Sequence, residues 1–440
     1  MTATRPPGRS PRQLLYGSAR RSTPLVRRAI LPIAVRGLLL RERMQSGVTW
    51  NPLDRRYHQD PTPFYARLRE RDPVHRSALM RGWVLSLFED IDETLRDHER
   101  FSSDLRKSPV AQDSARRGGP QLEPSMLVMD PPDHTRLRSL VARAFTRSAI
   151  EAWRPRVEQR VDELLDAAER QGTFDVMEAL ANPLPVLVIA EMLGVPPSDY
   201  AMFKQKSDAV ARLLEPTSTR SESHGAVEAR ADLTRYLDEI ATERRGAPRE
   251  DLLSVLLAAE EAGDRLTHQE LLVTLRLLLV AGNETTTNLI GNGLLALLRH
   301  PDQLAWLRAH PERVDDAVEE LLRFDSPVQL DQRTALTDVE IGGRPVAAGE
   351  QVVMLLGAAN RDPARFQDPD RLDLSRGDKS HLAFGRGIHH CLGAPLARME
   401  GQVVFAKLVE RFPSLRLADP APRFKDHVVL RGLRALPVSV

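Results

Sequence analysis

The residue best suited to chemistry in this chain is Cys391, the only cysteine among 440 residues. A lone cysteine is usually a small, inert, buried side chain. Here Gly385 and Gly387 precede it and allow backbone angles that a β-carbon forbids. Pro395 predicts the first turn of a helix, and a thiol just before a helix N-terminus is favoured as a thiolate. Such a thiolate, held beside an open planar space, suits the axial position of a haem iron.

The stretch 384–393, Phe-Gly-Arg-Gly-Ile-His-His-Cys-Leu-Gly, resembles the haem-binding loop of the cytochrome P-450 family of haem-thiolate monooxygenases. The family pattern is Phe-Gly-x-Gly-x-His-x-Cys-x-Gly. The resemblance implies that Cys391 ligates the iron of haem b, that Phe384 packs beneath the macrocycle and that His389 meets a propionate. The cofactor-binding residues that it implies in this loop are Phe384, Gly385, Gly387, His389, Cys391 and Gly393.

A second group of residues lies in a predicted long helix, which starts after the capping box at Thr267 and stops before Pro301. Near its middle, Glu284 and Thr285 place an acid beside a hydroxyl, a pair that can relay protons. An ordinary helix with a polar patch is the alternative. The stretch 281–286 also resembles the oxygen-activation motif of the same family. The resemblance implies a catalytic role for Glu284 and Thr285.

Helical spacing puts Leu278, Ala281 and Thr285 on one face of that helix. A small residue at 281 would let a flat group pass close to the backbone. We therefore expect Ala281 to contact the cofactor and Leu278 to contact the substrate.

Another predicted helix opens at 130–133, Asp-Pro-Pro-Asp, and carries a set of basic residues. His134 and Arg138 share one face at about 100° per residue. The family resemblance implies that both reach the haem propionates, together with Arg333. The opposite face carries three arginines that would attract an acidic electron donor. They are Arg136, Arg143 and Arg147.

Three further residues resemble the family's structural charge network. Glu320 and Arg323 are spaced i, i+3, which alone is uninformative. The family completes this pair with an arginine from a proline-rich loop, which here would be Arg371. The resemblance also implies that the segment after Pro327 lines the substrate pocket. The residues meant are Val328, Gln329 and Leu330.

The elements predicted around these residues are mostly helices, with short strands at 82–87 and beyond Arg333 and a hairpin at Gly342-Gly343. The segment 102–127 lacks periodicity, and we expect a loop that acts as a substrate lid. The fold class expected is therefore mainly α with small β-sheets, the cytochrome P-450 fold. Residues 46–440 should form a single haem-thiolate monooxygenase domain.

Residues 1–45 differ from the rest because they carry ten arginines and one acid, Glu42. Their apolar clusters are too short to span a membrane, and no secretory signal is evident. One interpretation is a solvated arm followed by a helix packed on the body; the other is an amphipathic segment resting on anionic lipid. We favour the first, because Pro32 and Arg36 interrupt the apolar face. A transit peptide is a minor alternative.

The composition sets further limits. A formal net charge of +1 gives no indication of nucleic-acid binding, and a single cysteine excludes an internal disulfide and suits a reducing cytoplasm. The resemblance implies a monomeric enzyme that inserts one atom of O2 into a moderately hydrophobic organic molecule. Electrons would come from a separate ferredoxin or flavodoxin. A haem-thiolate sensor without turnover and a peroxide-driven enzyme are the alternatives.

Overall fold

The computed structural model describes residues 24–116, 123–215, 220–249, 251–261 and 266–440. The α-helices within these ranges are α1 Pro24–Ser46, α2 Arg55–Gln59, α3 Thr62–Arg71, α4 Phe88–Arg96, α5 Pro109–Arg116, α6 Asp133–Ala142, α7 Arg147–Glu151, α8 Arg154–Glu169, α9 Pro183–Met192, α10 Tyr200–Ala211, α11 Arg220–Gly246, α12 Leu252–Glu261, α13 His268–Arg299, α14 Pro301–Ala309, α15 Val314–Phe324, α16 Leu356–Ala359 and α17 Ala394–Arg411.

The strands are short and form three small sheets. They are β1 Val74–Ser77, β2 Gly82–Leu85, β3 Phe101–Ser102, β4 Thr173–Asp175, β5 Asp331–Ala335, β6 Val339–Ile341, β7 Arg344–Val346, β8 Gln351–Met354, β9 Arg416–Leu417 and β10 Pro437–Ser439. The expected class, mainly α with small sheets, is confirmed.

The largest sheet has the strand order β1-β2-β8-β5-β3. Only β2 and β8 run parallel, with Trp83 opposite Val352, and the other neighbours are antiparallel. A second sheet has the order β4-β10-β9, and β6 and β7 form the expected hairpin. Gly342 and Gly343 make its turn with φ values of 52° and 74°, which glycine adopts without strain.

Helix α13 runs through the largest hydrophobic cluster and packs on α9, α10, α11, α15 and α17. The predicted capping box starts it. The Thr267 hydroxyl accepts a hydrogen bond from the Glu270 N–H at 3.3 Å, and the Glu270 carboxylate accepts one from the Thr267 N–H at 2.8 Å. The helix is buried on most sides, as expected of a central element. It is therefore a rigid support for residues near its middle.

One local expectation was wrong. The segment 102–127 contains helix α5 and a 3-10 turn at Leu105–Lys107, while residues 117–122 lie outside the described ranges. Pro109, at the first helical position, was the available signal. Pro32 lies within α1, which runs from Pro24 to Ser46. Among the described residues, no helix has the length and apolar character needed to cross a bilayer.

Candidate active site

Cys391 projects from a tight loop at the start of α17. A 3-10 turn at Gly387–His389 precedes it, and its N–H donates to the Phe384 carbonyl at 2.9 Å. Gly387 has a φ of 67°, and a β-carbon there would lie 2.4 Å from the Leu95 carbonyl oxygen. Glycine is therefore required at this position for steric as well as conformational reasons. The Cys391 side chain remains exposed, so its sulfur can receive a ligand.

The surroundings of Cys391 do not by themselves produce a thiolate. Desolvation raises the pKa of the thiol. The N–H groups of Gly393 and Ala394 and the charges of Arg138 and Arg398 act in the opposite direction but do not compensate fully. The N–H groups at the helix N-terminus thus act in the expected direction, but burial outweighs them. A metal ion at the sulfur would deprotonate it, since a coordinating thiol loses its proton outright.

A second feature is a group of buried polar atoms without partners. Both ring nitrogens of His134, Nε2 of His389 and Nη2 of Arg333 make no hydrogen bond. The two imidazoles lie together, with ring centroids 4.2 Å apart. Because an unpaired buried polar atom is costly, such a group points to a missing partner. The three side chains come from α6, β5 and the cysteine loop, as expected for propionate ligands.

The charge of this group favours an anion. Burial, followed by the charge of Arg333, lowers the pKa of His389 to about 3. Burial and then Arg138 lower the pKa of His134. Two neutral imidazoles that can each donate a hydrogen bond, beside a guanidinium, suit carboxylate oxygens. The site therefore fits the two propionates of haem b.

Arg138 has a different partner in this structure. Its Nη2 donates to the His390 carbonyl at 2.6 Å, so it ties α6 to the cysteine loop. Phe384 is held from the other side, where the Arg398 guanidinium lies 4.4 Å from its ring centroid. Arg398 in turn forms an ion pair with Glu319, whose carboxylate also meets His381 at 2.9 Å. No sequence motif indicated Glu319, Arg398 or His381.

On α13, the stretch that resembles an oxygen-activation motif has an accessible surface. Ala281 is exposed and Thr285 is half-buried, whereas Leu278 is buried. The Thr285 hydroxyl donates to the Ala281 carbonyl at 2.9 Å. The helix stays regular across Gly282. Ala281 and Thr285 thus present a small side chain and a hydroxyl to the same open space.

Glu284 is buried and paired with a residue that the sequence did not indicate. Its Oε1 lies 2.6 Å from Nζ of Lys425, which precedes the last sheet strand. Burial alone would raise the pKa of Glu284, but the charge and hydrogen bond of Lys425 lower it below the ordinary value. Glu284 is therefore ionised at neutral pH and held in place by Lys425.

The predicted charge network around Glu320 and Arg323 is present, but a different arginine completes it. Arg323 makes two hydrogen bonds to Glu320, at 2.7 and 2.8 Å, and both side chains are buried. The arginine that completes the network is Arg376, whose Nε lies 3.1 Å from Glu320. Arg371 is exposed and contributes only its carbonyl oxygen, which accepts from Arg323 and Arg376. The expectation for the Arg371 side chain was wrong.

Three of the four expected pocket residues are buried, and one of them, Leu278, belongs to the main hydrophobic cluster. Gln329 accepts a hydrogen bond from the Tyr65 hydroxyl and donates one to the Ser326 carbonyl, each at 2.6 Å. Leu330 packs in the cluster around Trp50. Val328 is half-buried and pairs with Leu430 in an isolated bridge. Val328 remains a candidate for substrate contact, and Leu278 does so only through the 8% of its surface that is exposed.

The expected basic face is weaker than the sequence suggests. Arg136 forms ion pairs with Asp133 at 3.1 Å and Glu270 at 2.5 Å, so its charge is largely neutralised. Arg143 and Arg147 are exposed. The spacing of the three arginines does not indicate that Glu270, which also caps α13, lies within reach of Arg136.

The chain resembles known proteins over most of its length. A family model described as Cytochrome P450 matches residues 49–314 and 308–434. The chain is 43% identical over 413 residues to the cytochrome P450 monooxygenase PikC of Streptomyces venezuelae, covering 90% of this chain and 96% of that one. It is 42% identical over 391 residues to the vitamin D(3) 25-hydroxylase of Pseudonocardia autotrophica, covering 87% and 94%.

Solved structures with a similar fold belong to the same family as these relatives. The ligand-free crystal structure of CYP164A2 from Mycobacterium smegmatis has a TM-score of 0.83 to this chain, at 41% identity, and covers 92% of this chain and 100% of the other. Together with the accessible Cys391 and the unpaired nitrogens around His389, these matches establish the assignment. The chain belongs to the cytochrome P450 family of oxidoreductases, which bind haem b through a cysteine thiolate.

Proposed function

We propose that this protein inserts one oxygen atom of O2 into a moderately hydrophobic organic molecule, with electrons delivered by a separate ferredoxin or flavodoxin. The observation that carries the proposal is the pair Glu284 and Thr285. A buried carboxylate directly precedes, in sequence, a hydroxyl on the accessible stretch of α13. A protein that only bound haem would have no need of such a pair.

Bound haem would supply the iron at which O2 is bound and reduced, with Cys391 as the ligand that increases electron density on it. His134, His389 and Arg333 would hold the propionates. Ala281 would leave room at the helix surface. The Arg398–Glu319 ion pair would keep Phe384, and with it the cysteine loop, in a fixed position.

Proton delivery is the task of Glu284 and Thr285 in this proposal. The reduction of O2 to one inserted atom and water consumes two protons. Lys425 keeps Glu284 ionised and is itself partly accessible to water, with 23% of its side chain exposed. A proton can therefore reach Glu284 from the Lys425 side and pass to the Thr285 hydroxyl. The same hydroxyl would in turn donate toward the open space above Ala281.

The substrate class follows from the two residues that remain candidates for the walls of the substrate pocket. Leu278 and Val328 are apolar, and they favour dispersion contacts over charge recognition. One relative is named as a hydroxylase of vitamin D(3), which supports hydroxylation of a carbon skeleton as the reaction type. An acidic electron donor would dock near Arg143 and Arg147, the exposed members of the expected basic face.

The test is spectroscopic. The purified protein, supplied with haem, reduced and exposed to carbon monoxide, should give the Soret band of a thiolate-ligated iron, and Cys391→His should abolish that band while retaining porphyrin. A wild-type band typical of a nitrogen ligand would refute the proposal at its first step. Consumption of O2 with a surrogate ferredoxin system then separates an oxygenase from a sensor. If turnover occurred only with added peroxide, the proposed delivery of electrons by a ferredoxin or flavodoxin would be wrong.

A further inference from the structure

The N-terminal helix α1 lies before the part of the chain that the family model matches, which begins at residue 49. One face of α1 packs against β1. Val35 and Leu39 on this face are half-buried, and Glu42 is 2% exposed. These positions repeat at i, i+4 and i+7, so they form one stripe along the helix. The helix is thus attached to the body along a defined line.

The attachment uses the only acid in residues 1–45. Oε1 of Glu42 accepts a hydrogen bond from the Ala78 N–H at 2.5 Å and lies 3.3 Å from the Ser77 hydroxyl. Its other oxygen is 3.5 Å from Nε2 of His75. Because this carboxylate is buried in the body, the part of α1 that faces water carries only positive charge.

The outer side of α1 is also apolar. Leu40 is 60% exposed and Met44 is 80% exposed. They are spaced i, i+4, so they lie side by side on the face opposite Glu42. Arg36, Arg41 and Arg43 are exposed around them. Exposed apolar side chains flanked by arginines are the arrangement of helices that lie in a lipid–water interface.

A cationic cleft opens at the end of the same helix. It has a volume of about 370 Å³ and is lined by Arg43, Gly47, Val48, Thr49, Arg67 and Arg71. No carboxylate lines it, and within the described ranges none of its three arginines has an ion-pair partner. Arg67 and Arg71 are spaced i, i+4 on α3, where like charges repel each other. A bound anion would relieve that repulsion.

We propose that α1 and this cleft form a binding site for an anionic phospholipid surface. The cleft receives a lipid phosphate between Arg43, Arg67 and Arg71, while Leu40 and Met44 insert beside it. Nucleic acid would satisfy the arginines but would leave the two apolar side chains in water, so lipid is the better match. The site lies outside the reaction described above and does not depend on it.

The test uses the full-length holoprotein and sedimentation with vesicles at low salt. Vesicles of phosphatidylcholine mixed with phosphatidylglycerol should carry the protein down, and vesicles of phosphatidylcholine alone should not. The double variant Arg67→Gln/Arg71→Gln leaves α1 unchanged and should weaken binding about 25-fold, from roughly fivefold per arginine near an anionic surface. Leu40→Ser/Met44→Ser should weaken it about tenfold by removing apolar insertion.

The matched control is Arg170→Gln/Arg416→Gln, which removes two exposed arginines beside the sheet of β4, β9 and β10 and should bind as the wild type does. Failure to sediment, or unchanged binding by the Arg67/Arg71 variant, overturns the proposal. The proposal is also overturned if added inorganic phosphate, at constant ionic strength, releases the protein from the vesicles. That result would indicate a site for a free anion. Binding to a DNA duplex without binding to vesicles would assign the surface to nucleic acid instead.

Discussion

Glu284 and Lys425 form a partly buried ion pair, with Oε1 and Nζ 2.6 Å apart, that joins the middle of α13 to the C-terminal segment. The pair links the candidate proton relay to the segment 424–433, which also contacts Val328 through Leu430. A change in that segment therefore acts on the ionisation of Glu284.

Lys425→Met should raise the pKa of Glu284, because burial stays while the neighbouring cation is lost. The wild-type carboxyl has a pKa below its ordinary value, so the pair stabilises the fold above that ordinary value and loses this contribution as pH falls through the folded pKa. At neutral pH we expect a loss of about 3 kcal/mol in the free energy of unfolding. Chemical denaturation measures it.

The control for that variant is Lys407→Met, which breaks the exposed ion pair with Asp162 and should cost less than about 1 kcal/mol. If both variants lost the same free energy of unfolding, the Glu284–Lys425 pair would stabilise the fold no more than an exposed ion pair does.

Thr285→Ala should keep haem and the carbon monoxide spectrum but divert electrons into peroxide. The reason is that the variant removes the hydroxyl that would pass protons to the haem site in the proposed relay. We expect product formed per electron to fall about tenfold or more. Parallel measurement of the electrons supplied by the surrogate ferredoxin system, of product and of hydrogen peroxide gives the coupling. Thr285→Ser, which retains a hydroxyl, should recover most of it. Unchanged coupling in the alanine variant would contradict the relay.

Arg376→Gln should destabilise the protein more than Arg371→Gln. Arg376 reaches the buried carboxylate of Glu320, whereas the Arg371 side chain points away and only its carbonyl is used. We expect a loss of roughly 1–3 kcal/mol for Arg376 and less than about 0.5 kcal/mol for Arg371. Thermal unfolding of both variants decides the order. The reverse order would restore the sequence-based assignment.

Glu400 should make stability fall as pH rises. This buried carboxyl lies near Thr286, and desolvation raises its pKa from 4.5 to about 8, opposed only by a hydrogen bond with Thr286. The folded state keeps the proton that the unfolded state releases, so each pH unit between these two values costs up to about 1.4 kcal/mol.

Glu400→Gln should flatten that dependence and stabilise the fold at pH 7 by on the order of 2 kcal/mol, because glutamine carries no charge to desolvate. Unfolding free energies at several pH values between 5 and 8 measure the slope. A variant with the wild-type slope would mean that another group titrates in this range.

The sequence alone was sufficient to predict features that depend only on residues close together in the chain. The glycines and cysteine of 384–393 indicated the ligand loop, because a tight turn before a helix needs those residue types in that order. Thr267 and Glu270 indicated where α13 begins, since a capping box uses only four consecutive residues. The family resemblance added the roles of His134, His389 and Arg333, and the structure brings their unpaired nitrogens into the interior.

Tertiary structure decided which distant side chain completes each charged site. Lys425 follows Glu284 by 141 positions, and no periodicity relates the two. Arg376 replaces Arg371 at Glu320 because the chain after Pro369 folds back so that only the later arginine points inward. The single acid of the N-terminal segment ends up buried against His75, and this leaves the arginines and apolar residues of α1 facing outward. Pairing between charges far apart in sequence depends on packing, and composition and spacing do not encode it.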